Sequence, residues 1–485
     1  MGETLTALDA TFLELEEADQ SAHMHIGGVI LIDPQTGGGA PPLELIREDI
    51  AGRLPDLPRF LERLSSPATG GLHWPTWEPD PDFDISRHVF AAGLPKPGGR
   101  EELLEWAGEY FSHRLDRTKP LWEVPIVELA DGRWALVTKT HHCLVDGVGS
   151  VDIGKTLLDT QPEHNPPPAA SDERAATPAH QAPADEPGPL SRAIRPARAV
   201  ARLAGAAGRT TLSAAEALVG AAAHPSRIRE ALTRSRALAE LIVRDEVIAA
   251  PRSSLNRPIG AKRRLMVIEA SLDDLRAIRS GLGGTINDVV LASAAGGLRE
   301  LLLHRGETPP EQGLRAMVPM NVREAGDRLA VGNRISSLFV HLPVAAEDAH
   351  ERYLQQLEEA ESIKAGTQAA GSTTLLDLAG HMPPVLHSFV ARSLFATRLF
   401  NVTITNVPGP QHPLYCFGSR VREIWPLVPI AAEHAVGLAV FSYDGTLFFC
   451  LNLDRDTCPD GEVLARGIER SLEELGQLAA QGAAR

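Results

Sequence analysis

The feature that most constrains the fold is a proline-rich segment in the middle of the chain. Residues 161–190 carry eight prolines among Ala, Asp, Glu and Ser, a composition typical of a solvated linker. The chain has 485 residues, which is longer than one ordinary hydrophobic core supports. We therefore predict one half over residues 1–160, the linker over 161–190 and a second half over 251–485.

A separate connector is predicted over residues 191–250, which are rich in Ala and Arg. Arginines recur there at near-helical spacing beside apolar residues, at Arg192, Arg195, Arg198 and Arg202. A basic amphipathic helix of this kind can lie on an anionic membrane surface. It can equally pack across the two halves, and both interpretations stay open at this point.

Composition excludes several classes of function. The formal net charge is −16, whereas general nucleic-acid binding needs a basic footprint, so we expect no nucleic-acid partner. The four cysteines form no Cys-x-x-Cys pair, which favours a reducing compartment and gives no zinc site. The N-terminus lacks the pattern of a signal peptide, and no apolar run reaches the roughly 18 residues that span a bilayer. We expect a cytoplasmic protein that is neither secreted nor transmembrane.

Periodicity predicts helices and strands in the first half. Apolar alternation indicates strands at 23–32 and 133–140, and helical spacing indicates helices over 42–66 and 101–116. A further strand is predicted at 120–127, where the prolines suit an edge strand or the entry of a strand, because proline cannot donate to the ladder. His23 and His25 alternate onto one face of the first strand, where they are a weak metal signal and are interpreted as a polar rim.

The second half also mixes helices with strands. Two capping boxes, Ser271-x-x-Asp274 and Thr285-x-x-Asp288, mark helix starts. Strand-like runs follow at 314–322, 334–342 and 400–406, and residues 461–480 predict a closing amphipathic helix. Asp444-Gly445 joins alternating runs over 436–443 and 446–453, which is a strong hairpin signal. Both halves therefore predict an α/β (α+β) protein of two domains.

A pair of histidines lies where the strand at 133–140 ends and a predicted helix follows. The sequence is His141-His142-Cys143-Leu144-Val145-Asp146-Gly147. An imidazole titrates near pH 6.5, so it can take and return a proton at cellular pH. A carboxylate from the same turn, near the N-terminus of the helix, can orient such a base. This spacing is compatible with a general base.

Three other interpretations of this corner stay open from the residues alone. A metal site would need ligands from elsewhere in the chain. Cys143 as a nucleophile would have to meet a base, and neighbouring side chains rarely come within hydrogen-bond reach. A purely structural polar corner fits the same residues.

The motif resembles the HHxxxDG signature of the bacterial wax ester synthase/acyl-CoA:diacylglycerol acyltransferase family. The resemblance runs from about residue 4 to residue 475, and it includes further segments in the family's order. These segments are Leu8-Asp9-Ala10-Thr11-Phe12, Met24-His25-Ile26-Gly27-Gly28, Pro120-Leu121-Trp122-Glu123, Asn287-Asp288, Asn321-Val322-Arg323, Asn406-Val407-Pro408-Gly409-Pro410 and Ser442-Tyr443-Asp444-Gly445. The linker and the Ala/Arg-rich connector have no counterpart in that pattern.

This resemblance implies a fold and a set of site residues. The fold is that of chloramphenicol acetyltransferase and condensation domains, in which two similar halves with mixed sheets and flanking helices meet at a tunnel. His142 would be the base that deprotonates an alcohol, which then attacks the thioester of an acyl-CoA directly. Asp146 would be a structural brace, with Arg323 as a guessed partner, and Gly147 would permit the turn.

Further roles follow from the same resemblance. His141 would be a helper, and Asn287 would hold the reacting carbonyl or its oxyanion. Asp288 is explained by its capping box alone, and Pro120, Leu121 and Trp122 are interpreted as packing residues.

The expected activity is transfer of an acyl group to diacylglycerol, and perhaps to long-chain alcohols to form wax esters. Acyl-CoA is a co-substrate, and neither a cofactor nor a metal is expected. Peripheral contact with the inner membrane face or with lipid droplets is expected because the substrates are lipids. Two alternatives remain: a condensation-type acyltransferase with carrier-bound donors, and a catalytically idle lipid-binding protein of storage droplets.

Overall fold

Two mixed six-stranded sheets form the framework of the residues described here. The structure is a computed structural model that describes residues 3–65, 74–144, 157–164, 250–321, 335–365 and 399–483. Predictions for the linker, the connector and the helix after the histidine pair lie outside these residues. So do Asp146, Gly147 and Arg323.

The first sheet has the strand order β11-β12-β1-β6-β5-β4. Strands β2 and β3 form a separate two-stranded sheet. The strands in these two sheets are β1 (His25–Ile32), β2 (Glu62–Leu64), β3 (Trp77–Pro79), β4 (Val89–Ala92), β5 (Trp122–Glu128), β6 (Trp134–His141), β11 (Tyr415–Cys416) and β12 (Ser419–Leu427).

The second sheet has the order β7-β14-β13-β10-β8-β9, with β10 parallel to both β8 and β13. Its strands are β7 (Arg263–Ser271), β8 (Leu314–Asn321), β9 (Ile335–Leu342), β10 (Val402–Pro408), β13 (Val436–Tyr443) and β14 (Thr446–Asp454). Helices flank the sheets at α1 (Ala7–Ala18), α2 (Leu43–Arg53), α3 (Arg100–Phe111), α4 (Leu272–Leu282), α5 (Ile286–His304), α6 (Ala349–Ala365) and α7 (Gly461–Ala483).

Pairing of β1 with β6 sets the position of the histidines. The two strands are antiparallel, and His25 lies opposite His141 at one end of the ladder. Strands β1 and β6 also approach each other closely at Gly27, where a Cβ atom would lie 1.9 Å from the carbonyl oxygen of Thr138. Glycine is therefore required at this position, because any side chain would push β6 away.

Strand β12 belongs to the first sheet although it lies in the second half of the sequence. It pairs with β1 in antiparallel fashion along most of its length. Arg100 at the start of α3 reinforces this contact, since its guanidinium donates to Glu423 at 2.9 Å and lies over the ring of Trp425. The two halves of the sequence thus share one sheet.

Most of the predicted elements are confirmed. Strands β1 and β6, helix α3, strands β8, β9 and β10, the hairpin β13-β14 and helix α7 all occur at or near their predicted ranges. Ser271 and Thr285 cap α4 and α5 through their side chains, as the two capping boxes predict. The hairpin turn has positive φ at both Asp444 and Gly445, as a tight two-residue turn requires.

The prediction of one helix over 42–66 is wrong, and of the two alternatives for the prolines of 120–127 the edge strand is excluded, whereas Pro120 does lie at the entry of β5. Residues 42–66 do not form one helix, because α2 ends at Arg53 and Pro55 and Pro58 convert the next residues into two short 3₁₀ turns before β2. Strand β5 is not at an edge but between β4 and β6. Pro125 lies in the interior of the sheet. The ladder between β5 and β6 is interrupted there, since Val124 and Pro125 are not paired with residues of β6.

Within the described ranges, every helix is too short or too polar to cross a bilayer.

Candidate active site

The histidine pair lies at the end of β6, in a turn that its neighbours fix through the backbone. His141 donates its N–H to the carbonyl of Leu121 at 3.0 Å, and His142 donates to Met24 at 2.8 Å. Leu144 donates back to the carbonyl of His141 at 2.9 Å. The turn is therefore held between the segment that precedes β1 and the segment that precedes β5.

The Pro120-Leu121-Trp122 segment is buried beside this turn. The indole N–H of Trp122 donates to the carbonyl of Phe60 at 2.8 Å, and its ring stacks on His88 with centroids 4.5 Å apart. These contacts anchor the segment in the core of the first half. Its backbone holds the turn, because the carbonyl of Leu121 accepts the hydrogen bond from the N–H of His141.

The ring of His142 is buried and stacks on Phe12, with centroids 4.0 Å apart and planes 13° from parallel. Burial lowers the pKa of His142 to about 4, because the imidazolium loses its hydration, and a charge on His141 would lower it further. The ring is consequently neutral at cellular pH. A neutral imidazole is the form that can accept a proton from an alcohol.

The ring of His141 has a different set of contacts. Its Nδ1 accepts a hydrogen bond from the backbone N–H of Cys143 at 3.2 Å, and its Nε2 faces the Oε2 atom of Glu16 at 3.4 Å. Burial lowers the pKa of His141, and Glu16 opposes this shift. Since Nδ1 accepts, the proton of the neutral ring is on Nε2, the nitrogen on the side of the Glu16 carboxylate.

Glu16 lies at the centre of a buried cluster and is only 1% exposed. Its Oε1 lies 3.4 Å from Nε2 of His25, and its Oε2 accepts from Arg117 at 2.7 Å. Burial by itself raises the pKa of Glu16, but His141, His25 and Arg117 outweigh burial and hold it well below its usual range. The carboxylate is ionised at neutral pH.

His23 and His25 extend this cluster, so the prediction of a polar rim is wrong. Both are buried, with ring centroids 6.0 Å apart, and burial is the main cause that lowers the pKa of each, to about 4 for His23. His25 contacts Glu16 of α1, which brings this helix to the start of β1. The alternation of the strand was read correctly, but the covering helix was not predicted.

Helix α1 contacts the histidine pair and was not predicted from the sequence. Its N-cap Thr6 accepts from the N–H of Asp9 at 3.1 Å and donates its hydroxyl to the Asp9 carboxylate at 2.6 Å. Thr6-x-x-Asp9 is thus a capping signal that was readable in the sequence. Phe12 and Glu16 are four residues apart, so they share the helix face that covers the histidine pair.

Cys143 follows the pair but is not an active nucleophile in this geometry. Its thiol is buried, and burial raises its pKa well above the usual range, helped by the negative charge of Asp9. The thiolate is the reactive form of cysteine, and it is scarce under these conditions.

The structure places Asn287 and Asp288 at the start of α5. The Asp288 carboxylate accepts from the N–H and the hydroxyl of Thr285 at 2.8 and 2.7 Å, which accounts for it as a cap. Asn287 is half-buried, and its Oδ1 accepts from the side chain of Asn406 at 3.4 Å. The Nδ2 group of Asn287 therefore remains oriented away from Asn406 as a donor.

No group of three or more His, Cys, Asp or Glu side chains in the described part of the chain is arranged to hold a metal ion. Nδ1 of His141 accepts from the backbone N–H of Cys143, so this nitrogen offers no lone pair to a metal ion.

Comparison with known proteins gives matches along almost the whole chain. Residues 5–244 and 245–290 match the wax ester synthase/diacylglycerol acyltransferase catalytic domain, and residues 331–476 match the C-terminal domain of the same family. A probable diacylglycerol O-acyltransferase of Mycobacterium tuberculosis is 33% identical over 483 residues, which cover 97% of this chain and 95% of the relative.

Solved structures agree with the sequence comparison. A wax ester synthase/diacylglycerol acyltransferase from Marinobacter aquaeolei VT8 is 28% identical, with a TM-score of 0.65 over 99% of this chain and 100% of that one. The first condensation domain of the CDA synthetase is 16% identical, with a TM-score of 0.57 over 100% of this chain and 97% of that one, and it shows the fold alone. The predicted family resemblance and fold are confirmed.

Proposed function

Because the chain belongs to the wax ester synthase/diacylglycerol acyltransferase family and is therefore an acyltransferase, we propose that it transfers an acyl group from acyl-CoA to diacylglycerol with His142 as the general base. The observation that carries this proposal is the environment of His142. Its ring is buried, neutral at cellular pH and held in plane against Phe12, at the end of a strand that the core fixes. A positioned base of this kind contributes about 10²–10⁴-fold to a rate.

The reaction proceeds in one displacement. His142 takes the proton of the acceptor hydroxyl while the oxygen attacks the thioester carbon. The C–S bond then breaks, and the CoA thiolate leaves and receives the proton back from His142. The products are triacylglycerol and free CoA, and no acyl-enzyme forms. Cys143 has no part in this sequence, since its thiol is buried and protonated.

Asn287 is the proposed donor to the oxyanion that develops on the thioester carbonyl. Its Oδ1 is engaged by Asn406, which leaves Nδ2 to donate. Asp146 is proposed as the brace of the turn with Arg323 as its partner, and Gly147 as the residue that permits the turn.

The proposed partners are long-chain acyl-CoA and diacylglycerol, with long-chain alcohols as further acceptors that would give wax esters. The displacement needs no cofactor, since the thioester itself supplies the leaving group. We propose a cytoplasmic location with peripheral contact at the inner membrane face or at lipid droplets, because both the acceptor and the product partition into lipid.

The test is acyl transfer by the purified protein and by His142→Ala. With labelled palmitoyl-CoA and diacylglycerol, we expect labelled triacylglycerol and free CoA in equal amounts, and His142→Ala lowers turnover at least 10²-fold. His113→Ala is the matched control, because His113 is exposed on the same half of the chain. Equal turnover of the His142 and His113 variants would reject His142 as the base. Lipid binding without any ester product would favour an idle lipid-binding protein.

A further inference from the structure

We propose that Glu16 is a positioning residue that keeps His142 in its catalytic geometry by fixing the ring of His141. This inference rests on the proposed function and adds a residue to it. It begins with α1, which touches both members of the pair. Phe12 stacks on the ring of His142, and Glu16, one turn later on the same face, meets the ring of His141.

The first step concerns the tautomer of His141. Its Nδ1 accepts from the backbone N–H of Cys143, a group that the turn holds in place. A proton on Nδ1 would set two donors against each other at this contact. An ionised carboxylate can only accept, so Glu16 at 3.4 Å from Nε2 favours the tautomer with its proton on Nε2. The position of Glu16 thus preserves the hydrogen bond between His141 and Cys143.

The second step leads from that hydrogen bond to His142. The bond joins the residue before His142 to the residue after it, and it therefore spans the backbone that carries the base. If the ring of His141 turns or changes tautomer, this brace is lost and the ring of His142 can drift from its place on Phe12. A base misplaced by about 1 Å can lose about 10²-fold in rate.

The third step is that Glu16 keeps its charge while buried. Arg117 lies 2.7 Å from Oε2, and Arg114 approaches Oε1 at 3.9 Å. The same arginines also donate to backbone carbonyls at the C-terminal end of α1, those of Leu13, Glu16 and Asp19. These backbone contacts hold α1 in place independently of the Glu16 side chain, so positioning of His141 can be separated from docking of the helix.

The chain offers a matched control in the next residue. Glu17 binds the same Arg117, with 2.7 Å between Oε1 and Nη1, but its side chain is 58% exposed. Glu17→Gln therefore removes the same charge from the same arginine on the exposed side. Glu16→Gln removes it beside the histidines, and Glu16→Asp keeps the charge but withdraws it from His141 by one methylene.

The experiment measures kcat and KM for palmitoyl-CoA and diacylglycerol in the wild type and these three variants, together with circular dichroism and the ¹⁵N spectrum of the His141 ring. The ring signal is assigned by its loss in His141→Asn. We expect Glu16→Gln to lower kcat about 10- to 100-fold with KM within twofold of the wild type, as found for partners that orient a functional histidine. It should also lose the Nε2–H signature of His141. Glu16→Asp should fall between Glu16→Gln and Glu17→Gln, and Glu17→Gln should match the wild type.

A folded Glu16→Gln with the kcat and the ring signature of Glu17→Gln would overturn the proposal. If Glu16→Gln does not fold, Glu16→Asp decides: a kcat at least threefold below that of Glu17→Gln with unchanged KM supports positioning, and an equal kcat refutes it. Failure of the proposed function looks different, because the wild type and Glu17→Gln would then also make no triacylglycerol.

Discussion

The buried position of His142 has a measurable consequence for the pH dependence of the reaction. An ordinary histidine has a pKa near 6.5, whereas burial lowers that of His142 to about 4. In the proposed reaction, the neutral ring is the active base. Lowering the pKa therefore extends the active form to lower pH, and kcat/KM should stay level as the pH falls from 8 to about 5.

The size of the effect follows from the two pKa values. At pH 5.5, about 97% of a base with a pKa of about 4 is neutral, against roughly 9% of one with a pKa of 6.5. The ratio is about tenfold at this pH. A weaker base takes a proton less readily, but this lowers the plateau of the profile rather than moving its midpoint.

The assay is CoA release at substrate concentrations well below KM, from pH 8 to pH 5, with His142→Ala as the blank for thioester hydrolysis. Stability must be controlled, because other histidines are also buried and neutral. Burial lowers the pKa of His23 and of His434 to about 4. Each contributes stability that is fully present above the unfolded value near 6.5 and is lost as the pH falls toward 4. Samples returned to pH 7.5 should therefore regain full activity. A reversible profile with its midpoint near pH 6.5 would refute the role assigned to burial.

Two further predictions concern the proposed oxyanion donor and the membrane. Asn287→Ala should lower kcat about 10²–10³-fold with little change in KM, because the loss of an oxyanion donor usually costs roughly 2.7–4 kcal/mol. A change confined to KM would instead assign Asn287 to substrate binding. Replacing Arg192, Arg195, Arg198 and Arg202 with Gln should weaken flotation with anionic liposomes and leave turnover in detergent unchanged. Undiminished flotation would favour the alternative that this segment packs across the two halves.

The sequence was informative where a periodic pattern met a strong local signal. The alternation of 133–140 predicted β6, and the strand ends at His141, so the histidine pair was placed correctly at the end of a strand. Thr285-x-x-Asp288 and Asp444-Gly445 marked a helix start and a hairpin because their side chains satisfy the local backbone directly. Such signals need no knowledge of distant residues.

Features that depend on distant residues were not predictable in this way. Strand β12 joins β1 across about 390 residues of sequence, and no local pattern encodes a partner at that distance. Pro125 suggested an edge strand, yet the sheet accommodates it in the interior. Glu16 stands in an acidic run, Glu14-Leu15-Glu16-Glu17, which resembles an exposed helix face. Only the position of α1 over β1 and β6 makes Glu16 a buried partner of His25 and His141.

The need for two adjacent histidines follows from the different contacts of their rings. A general base must keep a nitrogen available for the substrate, so it cannot also use both nitrogens to brace the turn. Nδ1 of His141 accepts from the backbone N–H of Cys143, and its Nε2 faces the Glu16 carboxylate at 3.4 Å, so this ring is placed to hold the turn. The ring of His142 instead stacks on Phe12, a contact that fixes the plane of the ring. In the proposed mechanism, the doubled histidine therefore divides positioning from proton transfer between two residues that contact the same helix.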